Sequence, residues 1–148
     1  MRILVLHGPN LNLLGRREPH IYGKEALAEI DAKLEALAGE LGTELVITQS
    51  NHEGVLIDTL HAHVDKADGA IINPAGLTQH GVSLRDAVAA MPFPAIEVHI
   101  SNIAAREDWR THSIISAVVR GTVQGLGWRS YTTALRAVVE IAREARAR

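Results

Sequence analysis

Five short apolar runs rich in β-branched residues alternate with longer segments of helical period, and this alternation constrains the chain more than any other feature. The runs are RILVLH (2–7), ELVITQS (44–50), GAIINP (69–74), AIEVHI (95–100) and GTVQG (121–125). Strands separated in this way form βαβ units around a parallel sheet. Between the first two, Leu27, Ile30, Leu34, Leu37 and Leu41 recur at the three-or-four spacing of one buried helix face, and Gly42 stops the element. Asn51 can cap a second helix through VLIDTLHAHVDKA, and Ser83 with Asp86 resembles a helix start before LRDAVAAM. A fourth helical segment begins near Arg106 or Glu107, and WRSYTTALRAVVEIAREAR forms a long amphipathic one. With no repeat, low-complexity stretch or linker, residues 1–148 read as a single domain, a three-layer α/β sandwich.

Composition narrows the function. The chain has no cysteine, which removes disulfides and thiolate chemistry, and its formal charge of −2 carries no basic block for nucleic acid. No stretch is apolar for the length of a membrane span, and MRILVLHGPN lacks a signal-peptide h-region, so the expectation is a cytoplasmic protein. Two Trp, two Tyr and one Phe are too few aromatics to cover a flavin ring. HGPNLN is neither G-x-G-x-x-G nor a P-loop, and His61 and His63 lack the i, i+4 spacing of a helical metal pair.

Ligands of open α/β sheets bind outside the carboxyl ends of the strands. The segments there are HGPNLNLLGRREPHIYG, NPAGLTQHG and HISNIAAREDWR, and they hold most of the unusual polar residues. The first is far longer than the roughly 2–6 residues of a typical βα connection, which marks it as a functional loop or lid. It holds Asn10, Arg16, Arg17, His20 and Tyr22. By residue type alone Tyr22 is a hydrophobic anchor for that loop. Chemistry gives a second reading, because a phenol becomes a useful base only where positive charge favours the phenolate, and Arg16 and Arg17 are at hand to supply it. The fourth strand is also unusual. Glu97 and His99 interrupt an apolar run at its carboxyl end and, two apart, share a face. They form either a satisfied core pair or an acid/base histidine held by a carboxylate, and their place at the strand end favours the second. The backbone N–H groups of Ile100 and Ser101, with Asn73 and Arg110, can make an anion site.

With these residues assembled, the chain resembles the type II 3-dehydroquinate dehydratases through LHGPNLNLLGRREPHIYG, QSNHEG, INPAGLT, LRDA, EVHISN and GLGWRSY. The resemblance implies a flavodoxin-like sheet of order 2-1-3-4-5 and trans dehydration of 3-dehydroquinate to 3-dehydroshikimate in the shikimate pathway, without metal or cofactor. It implies Tyr22 as base, Arg17 as support for its phenolate, Asn10 at the enolate through an ordered water, and His99 as general acid oriented by Glu97. Asn73, Ile100 and Ser101 fall where the substrate carboxylate is held, and Asp86 and Arg110 where ring hydroxyls or a neighbouring subunit's site are addressed. It also implies trimers gathered into a homododecamer. The three lysines, Lys24, Lys33 and Lys66, do not suit a Schiff-base route. One departure is visible in NPAGLTQH, where Gln79 stands in place of a substrate-binding histidine. Either Gln79 takes over its hydrogen bonds or the loop shifts to bring His80 inward. The rival reading is a non-catalytic protein of the same fold that binds a small anion at Asn73, Ser101 and Arg110.

Overall fold

The computed structural model describes residues 1–148. Strands β1 (Arg2–His7), β2 (Glu44–Gln49), β3 (Gly69–Asn73), β4 (Ala95–His99) and β5 (Gly121–Gln124) form one sheet of order β2-β1-β3-β4-β5. Every neighbouring pair is parallel, and this is the flavodoxin-like arrangement expected. A parallel sheet is covered on both faces, so its central strands must be apolar throughout. Accordingly Ile3, Leu4, Val5 and Leu6 of β1 and Ala70, Ile71 and Ile72 of β3 are wholly buried, while the edge strands β2 and β5 are partly exposed.

The two-residue alternation of the strands divides the interior into two cores. Ile3, Val5, Ile71, Ile96 and Val98 face α2 (Leu27–Leu41) and α5 (Arg129–Arg146), after the single helical turn α1 (Pro19–Tyr22). Leu4, Leu6, Ala70, Ile72 and Ala95 face α3 (Glu53–Ala62) and α4 (Val82–Ala89). Burying each Leu, Ile or Val stabilises by roughly 1.5–3 kcal/mol before the ordering entropy is charged. In α5, Tyr131, Ala134, Leu135, Val138, Val139 and Ala142 repeat at three-or-four spacing and are all buried. Gly42 ends α2 in a left-handed conformation at φ 65, as a helix-terminating glycine does. No helix is long and apolar enough to cross a membrane.

Local expectations fail where a tertiary contact outcompetes a sequence signal. The N-cap of α3 is His52, and the side-chain Oδ1 of Asn51 instead accepts from the backbone N–H of Asn10 at 2.9 Å. That helix ends at Ala62 rather than continuing to Ala67. Ser83 does not cap α4, which starts at Val82; the carboxylate of Glu53 on α3 accepts from the N–H of Leu84 at 2.9 Å. No α-helix begins near Arg106. The chain makes two 3-10 turns, Ile103–Ala105 and Asp108–Arg110, separated by extended backbone at Arg106 with φ −91 and ψ −171.

The carboxyl ends of β1 and β3 meet closely. The N–H of Gly8 donates to the carbonyl of Asn73 at 2.8 Å, and a Cβ on Gly8 would lie 2.5 Å from the Pro74 carbonyl oxygen. Only glycine fits at that approach. Asn10, Glu18 and Ala75 are the non-glycine residues with positive φ, at 69, 41 and 50, and all three lie in the loops that leave these strand ends. Left-handed backbone at such residues costs of order 1–3 kcal/mol each and persists where the surroundings enforce it, commonly at functional sites.

Candidate active site

A cleft of about 220 Å³ opens at the carboxyl edge of the sheet. The long β1–α1 segment contributes Asn10, Arg17 and Tyr22; the β3–α4 segment Asn73, Thr78 and Gln79; and β4 with its following turns His99, Ile100, Ser101, Arg106, Trp109 and Arg110. Three separate connections therefore converge where the strand order places a ligand. A larger apolar groove of about 410 Å³ lies beside the amino ends of β4 and β5, and neither histidine nor tyrosine lines it. No group of three or more His, Asp or Glu side chains is placed to hold a metal ion.

Tyr22 ends α1 with its ring half-buried against the core and its oxygen in the cleft. The Arg17 guanidinium lies over the ring, 5.2 Å from its centre, as expected. Arg16 is exposed, and the second cation at Tyr22 is Arg106, which sequence reading missed. Its Nη1 donates to the Tyr22 oxygen and to Ser101 Oγ, each at 3.2 Å, and its carbon lies 5.4 Å from the ring centre. The extended backbone at Arg106 is what turns this side chain back across the cleft. Tyr22 thus has its ring packed against the core and its oxygen paired with a cation.

Glu97 and His99 share the face of β4 opposite the α5 core, and both are buried. His99 Nε2 donates to Glu97 Oε2 at 2.6 Å. A buried carboxylate needs its remaining lone pairs met. Ser113 donates to Oε1 at 2.8 Å, and Ser116 lies 3.1 Å from Oε1 and 3.2 Å from Oε2. Ser113 is in turn fixed because its oxygen accepts from the N–H groups of Ile115 and Ser116. The carboxylate thus keeps the proton on Nε2, and Nδ1 is the ring nitrogen left for the cleft. Ser113 and Ser116 were not foreseen, since hydroxyls in an irregular segment carry no periodic signal.

Beside His99 in the same cleft, the backbone N–H groups of Ile100 and Ser101 donate to no backbone carbonyl. Asn73 is 4% exposed and lines the same space, so the expected anion-binding set does come together. Gln79 lines the cleft and His80 does not; Gln79 Nε2 donates to the Arg110 carbonyl at 3.0 Å, which leaves Oε1 free. Arg110 also lines the cleft, but its guanidinium is ion-paired with Glu107 at 2.7 Å and stacked on Trp109 at 4.0 Å. Asp86 is the one expected site residue that lies elsewhere. Its side chain is 69% exposed on α4, and its recorded partner is the neighbouring Arg85 at 3.4 Å.

Comparison with known proteins identifies the family and the fold. Residues 1–139 match the family described as Dehydroquinase class II. A 3-dehydroquinate dehydratase of Herpetosiphon aurantiacus is 56% identical over 135 residues, covering 91% of this chain and 94% of that protein. The crystal structure of the type II dehydroquinase from Butyrivibrio crossotus superposes with a TM-score of 0.91 at 38% identity, covering 93% of this chain and 97% of that one. That of Propionibacterium acnes gives 0.90 at 42% identity over 94% and 96%. With the same sheet order, near-complete coverage and identity above half to a named relative, this chain belongs to the class II (type II) dehydroquinase family.

Proposed function

We propose that the protein is a hydro-lyase of the shikimate pathway that dehydrates 3-dehydroquinate to 3-dehydroshikimate, with Tyr22 as base and His99 as acid. The observation that carries the proposal is the pairing inside one cleft of a tyrosine oxygen held by Arg106 and Arg17 with a histidine backed by a buried glutamate. Tyr22, as its phenolate, takes the proton from the carbon beside the ketone, and the electron pair moves onto the carbonyl oxygen as an enolate. Asn10 helps hold that charge through a water. The enolate then re-forms the ketone and expels the C1 hydroxyl, which receives the Nδ1 proton of a doubly protonated His99 and leaves as water, so the double bond forms conjugated to the ketone; the ring stays behind with its Nε2 proton on Glu97, whose charge supports the protonated form. Each proton transfer of this kind contributes roughly 10²–10⁴-fold.

The substrate carboxylate is read onto Asn73 and the N–H groups of Ile100 and Ser101, and a ring hydroxyl onto Gln79, whose free Oε1 accepts. Arg110 shapes that end together with Trp109. The exposure of Asp86 suits a residue that reaches a neighbouring copy in a dodecamer of trimers, with no metal and no organic cofactor taking part. The setting is read as the cytoplasm. A small-anion sensor uses only the Asn73 end and leaves both the cationic tyrosine and the carboxylate-backed histidine idle.

The test is to follow the enone absorbance of purified protein given 3-dehydroquinate, beside the Tyr22→Phe variant. The expected result is turnover in the parent and loss of at least about 10²-fold in the variant, with unchanged folding. Absence of turnover in the parent supports the sensor, and near-native turnover in Tyr22→Phe removes Tyr22 as base.

A further inference from the structure

Two wholly buried titratable side chains, His7 and Tyr131, take no part in the chemistry above, and both belong to one hydrogen-bonded chain that ends at the cleft. His7 closes β1 and is the register partner of Asn73 at the end of β3, so their side chains stand side by side on the face covered by α5. From the first turn of α5 the Tyr131 hydroxyl reaches between them, 2.9 Å from Asn73 Nδ2 and 2.9 Å from His7 Nδ1. His7 Nε2 lies 2.8 Å from Asp31 Oδ1 on α2, whose side chain is 28% exposed. Asn73 Oδ1 accepts from the N–H of Ala75 at 3.1 Å.

One assignment pairs every ring and hydroxyl proton in this chain. An amide nitrogen only donates, so the Tyr131 oxygen accepts from Asn73 and passes its own proton to His7 Nδ1. Nδ1 is therefore bare, the imidazole proton sits on Nε2, and it is donated to Asp31. Every member is satisfied, as a buried network requires. Burial pushes the Tyr131 phenol well above its ordinary value, the Asn73 hydrogen bond opposes this and the Asp31 charge adds to it, so Tyr131 remains a hydroxyl. Both polar ends of the Asn73 amide are thereby occupied, and its second Nδ2 hydrogen is the donor left for the cleft.

We infer that Tyr131, His7 and Asp31 are positioning residues that set the direction of the Asn73 amide and so present that hydrogen to the substrate carboxylate. The inference rests on the reading of the cleft as a dehydratase site with Asn73 at the carboxylate. The substitution Tyr131→Phe deletes only the hydroxyl. The expected result is a rise in KM for 3-dehydroquinate of about 10-fold, the scale of one hydrogen bond, with kcat held within about threefold. In an Asn73→Ala background the same substitution is expected to leave KM unchanged, because the amide it orients is gone. A purely structural role lowers the melting temperature without this split or this non-additivity. Asp31→Ala, at the solvent end of the chain, serves as the second variant should Tyr131→Phe not fold, with a KM rise of about threefold that again vanishes without Asn73. An unchanged KM in a folded variant, or KM increments that multiply in the double variant, overturns the inference. Tyr22→Phe measured alongside separates the two levels, since turnover by that variant breaks the underlying reading whatever Tyr131→Phe does.

Discussion

Replacing Glu97 by glutamine tests the acid half of the site at nearly constant shape. The carboxylate is wholly buried and receives His99 at 2.6 Å, Ser113 at 2.8 Å and Ser116 at 3.1 and 3.2 Å. A carboxamide offers one oxygen and brings two hydrogens. If its oxygen takes the place of Oε1, the NH2 group faces the Nε2–H of His99, and relief comes only by moving the ring proton to Nδ1. If its oxygen takes the place of Oε2, the NH2 group faces Ser113, whose oxygen already accepts from two backbone N–H groups. Either way one buried donor is stranded or the histidine changes tautomer. A stranded donor costs about 1–3 kcal/mol, and at this chain length each kcal/mol lowers Tm by roughly 2–4 °C. The expected catalytic loss comes from removing the carboxylate charge that supports a doubly protonated His99 as the proposed acid, about 10²-fold or more in kcat. KM is expected to stay near the parent value, because Glu97 does not line the cleft. Steady-state kinetics by enone absorbance with a parallel thermal melt reads both quantities. A Glu97→Gln protein whose kcat stays within about threefold of the parent would refute the role given to the Glu97–His99 pair.

Two further outcomes follow from other contacts. Arg106→Ala removes the guanidinium that donates to the Tyr22 oxygen at 3.2 Å, while Arg17 still lies over the ring. A hydrogen bond to a charged group is worth about 1.5–3 kcal/mol, so kcat is expected to fall roughly 10- to 150-fold, and an unchanged kcat in the same assay would show that Arg17 suffices. Stability at high pH is governed in part by Tyr131, whose folded-state phenol is raised above the ordinary value of 10.0 by burial. Above that pH the unfolded chain gives up a proton the folded chain keeps. The contribution is therefore complete below it and is lost as pH rises, with a slope approaching about 1.4 kcal/mol per pH unit. Denaturant melts from pH 9 to 11 are expected to show this slope, and to lose that component in Tyr131→Phe.

What the sequence showed and what it hid divide along a physical line. All five strands were legible within a residue because buried parallel strands must be apolar and the connecting helices must repeat every three or four residues. Glu97 and His99 stood out for the same reason, as polar residues in a place where the pattern forbids them. Tyr22 and Arg17 were legible because they are close in sequence and chemically odd for a connector. Arg106 was not, since its partner Tyr22 is 84 residues away and its own segment reads as a helix start. Ser113 and Ser116 were hidden because only the folded chain sets them under β4. The capping roles expected of Asn51 and Ser83 did not hold, because tertiary donors and acceptors won, Asn10 in one case and Glu53 in the other.

The same line bears on how the site is held. The proposed base and acid are supported by different parts of the fold: Tyr22 by the turn that follows β4, and His99 by the segment that precedes β5, with Glu97 and the two serines on the α4 side of the sheet. The carboxylate end is supported from the opposite face, through Asn73, Tyr131 and α5. The His99 side and the Asn73 side therefore draw on separate cores, and a change beneath Glu97 is expected to move kcat rather than KM. Sites more than about 7–10 Å apart with no shared partner behave additively. Arg106 links the two sides, because its Nη1 is shared by the Tyr22 oxygen and Ser101 Oγ, so Arg106→Ala is expected to disturb both.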